Sequence, residues 1–144
     1  MINFEPIISF AGNANKAIEL YEKAFGAVVK EKILFSQANP KDYVASDDEK
    51  DLVYYGLFKI GKQAISFGDN SEAAKNPVPV TGNMLAMDLL VHFDTDEELK
   101  KAYEILSEGA NITAPLMSQT YCSLTCALID KFGMRWQFMS GYKG

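Results

Sequence analysis

"IISFAGNANKAIELYEKAFGA", residues 7–27, passes from strand to turn to helix to stop, and that order decides how the chain is organised. The apolar run at 7–10 gives way to Gly12 and to Asn13, a helix-start signal. Ala14, Ala17, Ile18, Tyr21 and Phe25 then recur at the spacing of one helical face, and Gly26 is placed to end the helix. The same order returns in "MLAMDLLVHFDTDEELKKAYEILSEGA", residues 84–110. There a strand expected from Met84 to Phe93 meets Asp94, Thr95 and Asp96 as cap candidates, with acids in the first turn where the helix dipole favours them. Leu99, Ala102, Tyr103 and Leu106 form the expected buried face, and Gly109 matches Gly26.

The segments after the two helices match as well. "VVKEKILFSQ" (28–37), "DLVYYGLFKIG" (51–61) and "KQAISFGD" (62–69) read as three strands, the last two joined by a tight turn at Gly61. After the second helix come "NITAPLMS" (111–118), "TYCSLTCALID" (120–130) and "MRWQFM" (134–139), with "KFG" as the last turn. Each half is therefore β-α-β-β-β, and such a repeat fixes the architecture as α+β. The expected layout is a first module at 1–75, a Pro-rich polar linker at 76–83 and a second module at 84–144, together one structural domain.

Composition narrows the function. The chain has 144 residues, 48% hydrophobic, and a formal net charge of -5, which suits an ordinary soluble globule and argues against a nucleic-acid partner, for which a basic patch is needed. No segment approaches the roughly 18 apolar residues of a membrane span. "MINFEPIISF" lacks a basic n-region and a cleavage site, so a cytoplasmic location is expected. Cys122 and Cys126 fall on one face of a strand, too far apart for an easy disulfide, and with His92 as the sole histidine they cannot build a Cys/His zinc site. They read as packed thiols. "GNANKA" has neither phosphate-loop spacing, and no G-x-S-x-G elbow is present.

A tandem β-α-β-β-β chain of this length resembles the vicinal oxygen chelate superfamily, which includes glyoxalase I, bleomycin-resistance proteins and extradiol dioxygenases. "PIISFAGNANKAIELYEKAFGA" is similar to the opening of its PhnB-like branch, and "DKFGMRW" (130–136) to that branch's ending. The resemblance implies two modules whose mixed sheets curl around a cleft, with helices outside, and a homodimer. It also implies that metal enzymes of the family take ligands near the start of the first strand and near the end of the last strand of each module. Carried over, those positions fall on Pro6, about Ser66, near Asp88, and on Gln137, where metal-binding members carry Glu. A hydroxyl, an amide and one carboxylate make a poor transition-metal site, so no metal cofactor is expected unless Glu5 or His92 enters by another register. Some relatives carry a ubiquinone methyltransferase label, but neither the Gly-rich turn nor the doubly wound sheet of an S-adenosylmethionine site is here.

Alternation along the strands assigns the rest. Leu85, Met87, Leu89, Val91 and Phe93 are expected on the second helix, with Asp88 and His92 on the other face. Asp88 reads either as a general base or polar anchor, or as an acid paired with Arg135 or lying at a dimer interface. Tyr55, Tyr121 and Trp136 are expected as aromatic walls, with Phe10 and Met139 beside them, and Gln137 as a polar anchor. The function expected is binding of a small organic molecule in an aromatic cleft without a tightly bound metal. The alternatives are a metal-dependent glyoxalase-type lyase, isomerase or dioxygenase, and a protein that sequesters a bulky cationic drug.

Overall fold

Apolar residues at three-and-four spacing wind onto one side of α1 (Ala14–Phe25), where Ala14, Ala17, Ile18 and Tyr21 are buried. The computed structural model describes residues 1–76 and 87–144, and the chain divides into two compact units, Met1–Val78 and Pro79–Gly144. In the first unit α1 follows β1 (Ile7–Phe10) and precedes β2 (Val28–Leu34), β3 (Val53–Ile60) and β4 (Gln63–Asp69). The sheet order is β1-β4-β3-β2, with β1 parallel to β4 and the other pairs antiparallel. Because β1 and β2 hold opposite edges, α1 crosses one face of the sheet between them.

That crossing sorts the strand residues by face. Ile8, Phe10, Phe58, Ile65 and Phe67 turn to the helix and are buried, while Ile7, Ser9, Tyr55, Leu57 and Ser66 turn away. The Tyr21 ring lies 6.4 Å from Phe10 and 6.2 Å from Phe58, so one helical tyrosine joins two strands. Burying a ring of this size is worth about 1.5–3 kcal/mol. Gly26 closes α1 at φ 66°, a left-handed conformation that favours glycine, and its N–H donates to the Glu22 carbonyl.

The second unit repeats the plan with β5 (Leu89–Phe93), α3 (Asp96–Ser107), β6 (Asn111–Gln119), β7 (Cys122–Ile129) and β8 (Arg135–Ser140), in the order β5-β8-β7-β6. A short α2 (Ser71–Lys75) ends the first unit. Leu99, Ala102 and Leu106 of α3 are buried, and α3 lies against β5, β7 and β8. Cys122 and Cys126 are free and buried, and burial pushes the Cys126 thiol up to about 12, so it stays protonated. Pro115 sits in β6, an edge strand whose pairing with β7 is irregular, the position where a missing N–H is tolerated. Among the described residues no helix is long and apolar enough to cross a membrane.

Several expectations shift. Asn13 makes no side-chain cap; instead the Asp69 carboxylate accepts from Gly12 N at 2.9 Å and Ala14 N at 3.0 Å, while its other oxygen accepts from Val53 N at 2.9 Å. In the second unit the polarity of this joint is reversed. Ser140 occupies the register position of Asp69, and Asp96 at the start of α3 accepts from the hydroxyls of Ser140 at 2.6 Å and Ser123 at 2.7 Å. Those two bonds hold the Asp96 carboxyl below its usual range. The strand expected to reach Gln37 stops at Leu34, because Phe35 turns inward against Tyr43 and Tyr54. Residues 71–75, for which no element was expected, are helical, with the Asn70 side chain accepting from Ala73 N. Met84, Leu85, Ala86 and the linker beyond Asn76 lie outside the described residues.

Gly56 is required for packing. A Cβ there would lie 2.3 Å from the Phe67 ring, which is 1% exposed. Gly56→Ala should lower the unfolding free energy by about 1–3 kcal/mol in chemical denaturation, and an unchanged midpoint would contradict this packing.

Candidate functional sites on the two sheets

The first sheet turns a mixed face away from α1, and a hydrogen-bonded group of side chains stands on it. Glu5, Ile7 and Ser9 alternate onto that face, and Ile7 is the register partner of Ser66 on the neighbouring strand. Ser66 donates its hydroxyl to Glu5 Oε1 at 2.5 Å, and the Tyr55 hydroxyl lies 3.3 Å from Ser66 Oγ. Ser66 is buried, Tyr55 is 36% exposed and Ile7 is 67% exposed, so the group is anchored at its base and open above.

On the second sheet the face away from α3 carries Leu90 and His92 of β5, Gln137 and Met139 of β8, and Thr125 and Ala127 of β7. Gln137 pairs in register with Leu90 on one side and Ala127 on the other. Leu90 and His92 are exposed, Gln137 is half-buried, and the His92 ring lies 6.1 Å from that of Tyr142.

Four of the residues expected at the cleft take other places. Trp136 is the strand neighbour of Gln137 and so points to the opposite face, toward the helix side, where it is 1% exposed. Its Nε1 donates to Asp130 Oδ2 at 2.9 Å, and Asp130 Oδ1 accepts from Phe132 N and Met134 N. The closing motif is thus a lock on the turn between β7 and β8, and Trp136 is core rather than an aromatic wall. Tyr121, expected on a strand, is in the turn before β7; the six residues from there to Ala127 beside Gln137 span roughly 20 Å of strand. Asp88 precedes β5, which begins only at Leu89, and its Oδ1 meets Arg135 Nε at 2.7 Å, the ion pair that was one of its two expected readings. Phe10 is also core, 3% exposed beneath α1.

Of the carried-over metal positions, Pro6 and Asp88 do not stand beside Ser66 and Gln137 on the helix-free faces; the register partners there are Ile7 and Leu90. Neither set fits a divalent transition metal: the first offers an aliphatic chain, a hydroxyl and the Glu5 carboxylate bonded to it, the second an aliphatic chain and an amide. Among the described residues, no three His, Cys, Asp or Glu side chains come together as a metal site. Glu5, expected only as a metal ligand by another register, accepts from Ser66; that bond was missed, although alternation with Ile7 was the available signal.

The chain as a whole is similar to known proteins. The family model described as Glyoxalase/Bleomycin resistance protein/Dioxygenase superfamily matches residues 4–138. No curated protein sequence matches the chain. Among solved structures, protein PA1353 from Pseudomonas aeruginosa is similar with a TM-score of 0.76 at 21% identity, covering 98% of both chains. The putative 3-demethylubiquinone-9 3-methyltransferase, PhnB protein, from Bacillus cereus has a TM-score of 0.75 at 20% identity, covering 97% of this chain and 100% of that one. The fosfomycin resistance protein FosX from Listeria monocytogenes has a TM-score of 0.63 at 12% identity, covering 99% and 97%. At these identities the structural likeness is one of fold.

One further carboxylate stands out. Glu49, buried between β2 and β3, accepts from the Tyr43 hydroxyl at 2.5 Å, Ser46 Oγ at 2.8 Å and Ser46 N at 3.1 Å. These bonds, the Tyr43 one first, lower its pKa from 4.5 to about 2. A depressed carboxylate contributes stability above its unfolded pKa and loses it as pH falls through the folded one. Hydrogen exchange across residues 43–50 should therefore quicken as pH drops from about 4.5 to about 2, once intrinsic exchange is corrected for. Glu49→Gln should flatten that dependence, and an equal acid response in the variant would refute the assignment.

Proposed function

The chain belongs to the glyoxalase/bleomycin-resistance/dioxygenase superfamily, and on that premise we propose that it binds a small organic molecule against the helix-free faces of its sheets without a tightly held metal ion. The observation that carries this proposal is the strand register, which sets Ile7 beside Ser66 and Leu90 beside Gln137, next to the positions that the family resemblance assigns to metal ligands. In their place the faces offer an aromatic ring at Tyr55, aliphatic surface at Ile7 and Leu90, and a few polar atoms at Ser66 and Gln137. Mostly apolar surface with a small number of placed polar groups is the composition of organic-ligand sites. Asp88, held by Arg135, serves on this proposal to fix the strand end beside Gln137 rather than to move protons.

The finer assignment to the PhnB-like branch is supported by the opening "PIISF" segment, the closing "DKFGMRW" motif and the fold likeness to the Bacillus cereus PhnB protein. A cytoplasmic homodimer is the state proposed for it, on the family resemblance.

A ligand bound only by the native state raises the melting temperature with its occupancy. Chelator-treated protein should show no rise in Tm with one equivalent of Ni, Zn, Mn or Fe(II), and a rise with aromatic organic compounds. A clear shift with one of these metals would overturn the proposal and bring glyoxalase-type chemistry to the front.

A further inference from the structure

The group on the first sheet fixes its own proton directions. A serine hydroxyl has one proton, and that of Ser66 is committed to Glu5 Oε1. The 3.3 Å contact between Tyr55 and Ser66 can then be a hydrogen bond only with Tyr55 as donor. Both hydroxyl protons therefore run inward along Tyr55, Ser66 and Glu5. What this relay presents to a ligand is acceptors: the phenolic lone pairs of Tyr55 and the remaining lone pairs of the Glu5 carboxylate.

The same face carries charges of both signs. The register places Glu31 opposite Leu57, with Lys30 beside it at a bulge, and Lys59 opposite Ala64. The carboxylate nearest the relay's acceptors is that of Glu5, bonded to Ser66. Beside the acceptors lie the exposed Ile7 side chain and the half-exposed Tyr55 ring, which can cover a hydrocarbon or aromatic body.

We propose that the Glu5–Ser66–Tyr55 relay selects a protonated amine carrying an apolar or aromatic body, the ammonium donating to Glu5 and to the Tyr55 oxygen. An anionic ligand finds no donor in the relay, and a neutral hydroxyl compound meets the acceptors without the charge assistance. The inference rests on the proposal that the helix-free faces bind organic molecules, and it adds which chemical class the first one takes.

The test is titration of the full chain with benzylamine, benzyl alcohol and benzoate, followed in proton–nitrogen NMR spectra. Benzylamine should shift the amides of Ile7, Tyr55 and Ser66, and bind more tightly than the other two. Glu5→Gln keeps an oxygen that can accept from Ser66 but removes the charge, and should weaken benzylamine binding roughly tenfold, in keeping with a charge-assisted bond. Tyr55→Phe should weaken it by a smaller factor. Glu22→Gln on the outside of α1 is the control for general attraction of cations to an acidic protein, and should leave the dissociation constant unchanged. Equal weakening by Glu5→Gln and Glu22→Gln, no weakening by Glu5→Gln, or tighter binding of benzoate would each overturn the inference. Binding of benzyl alcohol or benzoate in preference to the amine would do so while leaving organic-ligand binding intact. No shift on either sheet with any of the three would overturn both.

Discussion

Each unit depends on a carboxylate where the helix begins and the sheet ends. A helix start leaves N–H groups without partners, and a crossover helix must be fixed in angle to cover one sheet face. In the first unit Asp69, on the last strand, bonds to Gly12, Ala14 and Val53, tying β1, α1 and β3 at one point. In the second the acid is on the helix, and Asp96 takes the hydroxyls of Ser140 and Ser123 from β8 and the start of β7. The two halves thus solve one mechanical problem with the charge on opposite sides of the joint. Both place negative charge at the helix end that favours it.

Once the helix is pinned, the faces of the sheet have different work. One face packs rings and aliphatic chains under the helix: Tyr21, Phe58 and Phe67 in the first unit, Leu99, Leu106 and Phe138 in the second. Gly56 belongs to this side, because only a residue without Cβ lets the Phe67 ring cross β3. The other face needs no such filling and is where Tyr55, Ser66, Leu90, His92 and Gln137 stand. The closing motif looks functional but serves the fold, since Asp130 gathers two turn amides and the Trp136 indole.

The repeat, both long helices and the strand faces were legible, because periods of 3.6 and 2 are written locally in the sequence. The helix cap was not: Asn13 is the residue type expected there, but the carboxylate that acts is 55 positions further along. Trp136 and Gln137 illustrate a different difficulty. Alternation already says that neighbours on a strand cannot share a face, so an aromatic wall at one and a polar anchor at the other exclude each other. Asp88 depended on where β5 begins, and strand ends are the least certain feature of any sequence. Glu5 lay in a stretch with no regular structure of its own, and its role comes from Ser66 across the strand pair.

The chemical account turns on what the helix-free faces can hold. Their register-matched positions offer hydrocarbon, hydroxyl and amide, and the Glu5 carboxylate accepts from Ser66, itself in contact with Tyr55, in a relay that ends in acceptors. Native mass spectrometry of freshly purified protein tests this most directly, since it weighs whatever stays bound. The account predicts the bare polypeptide mass, or twice it, with any retained adduct organic. One transition-metal ion per chain surviving buffer exchange would contradict it.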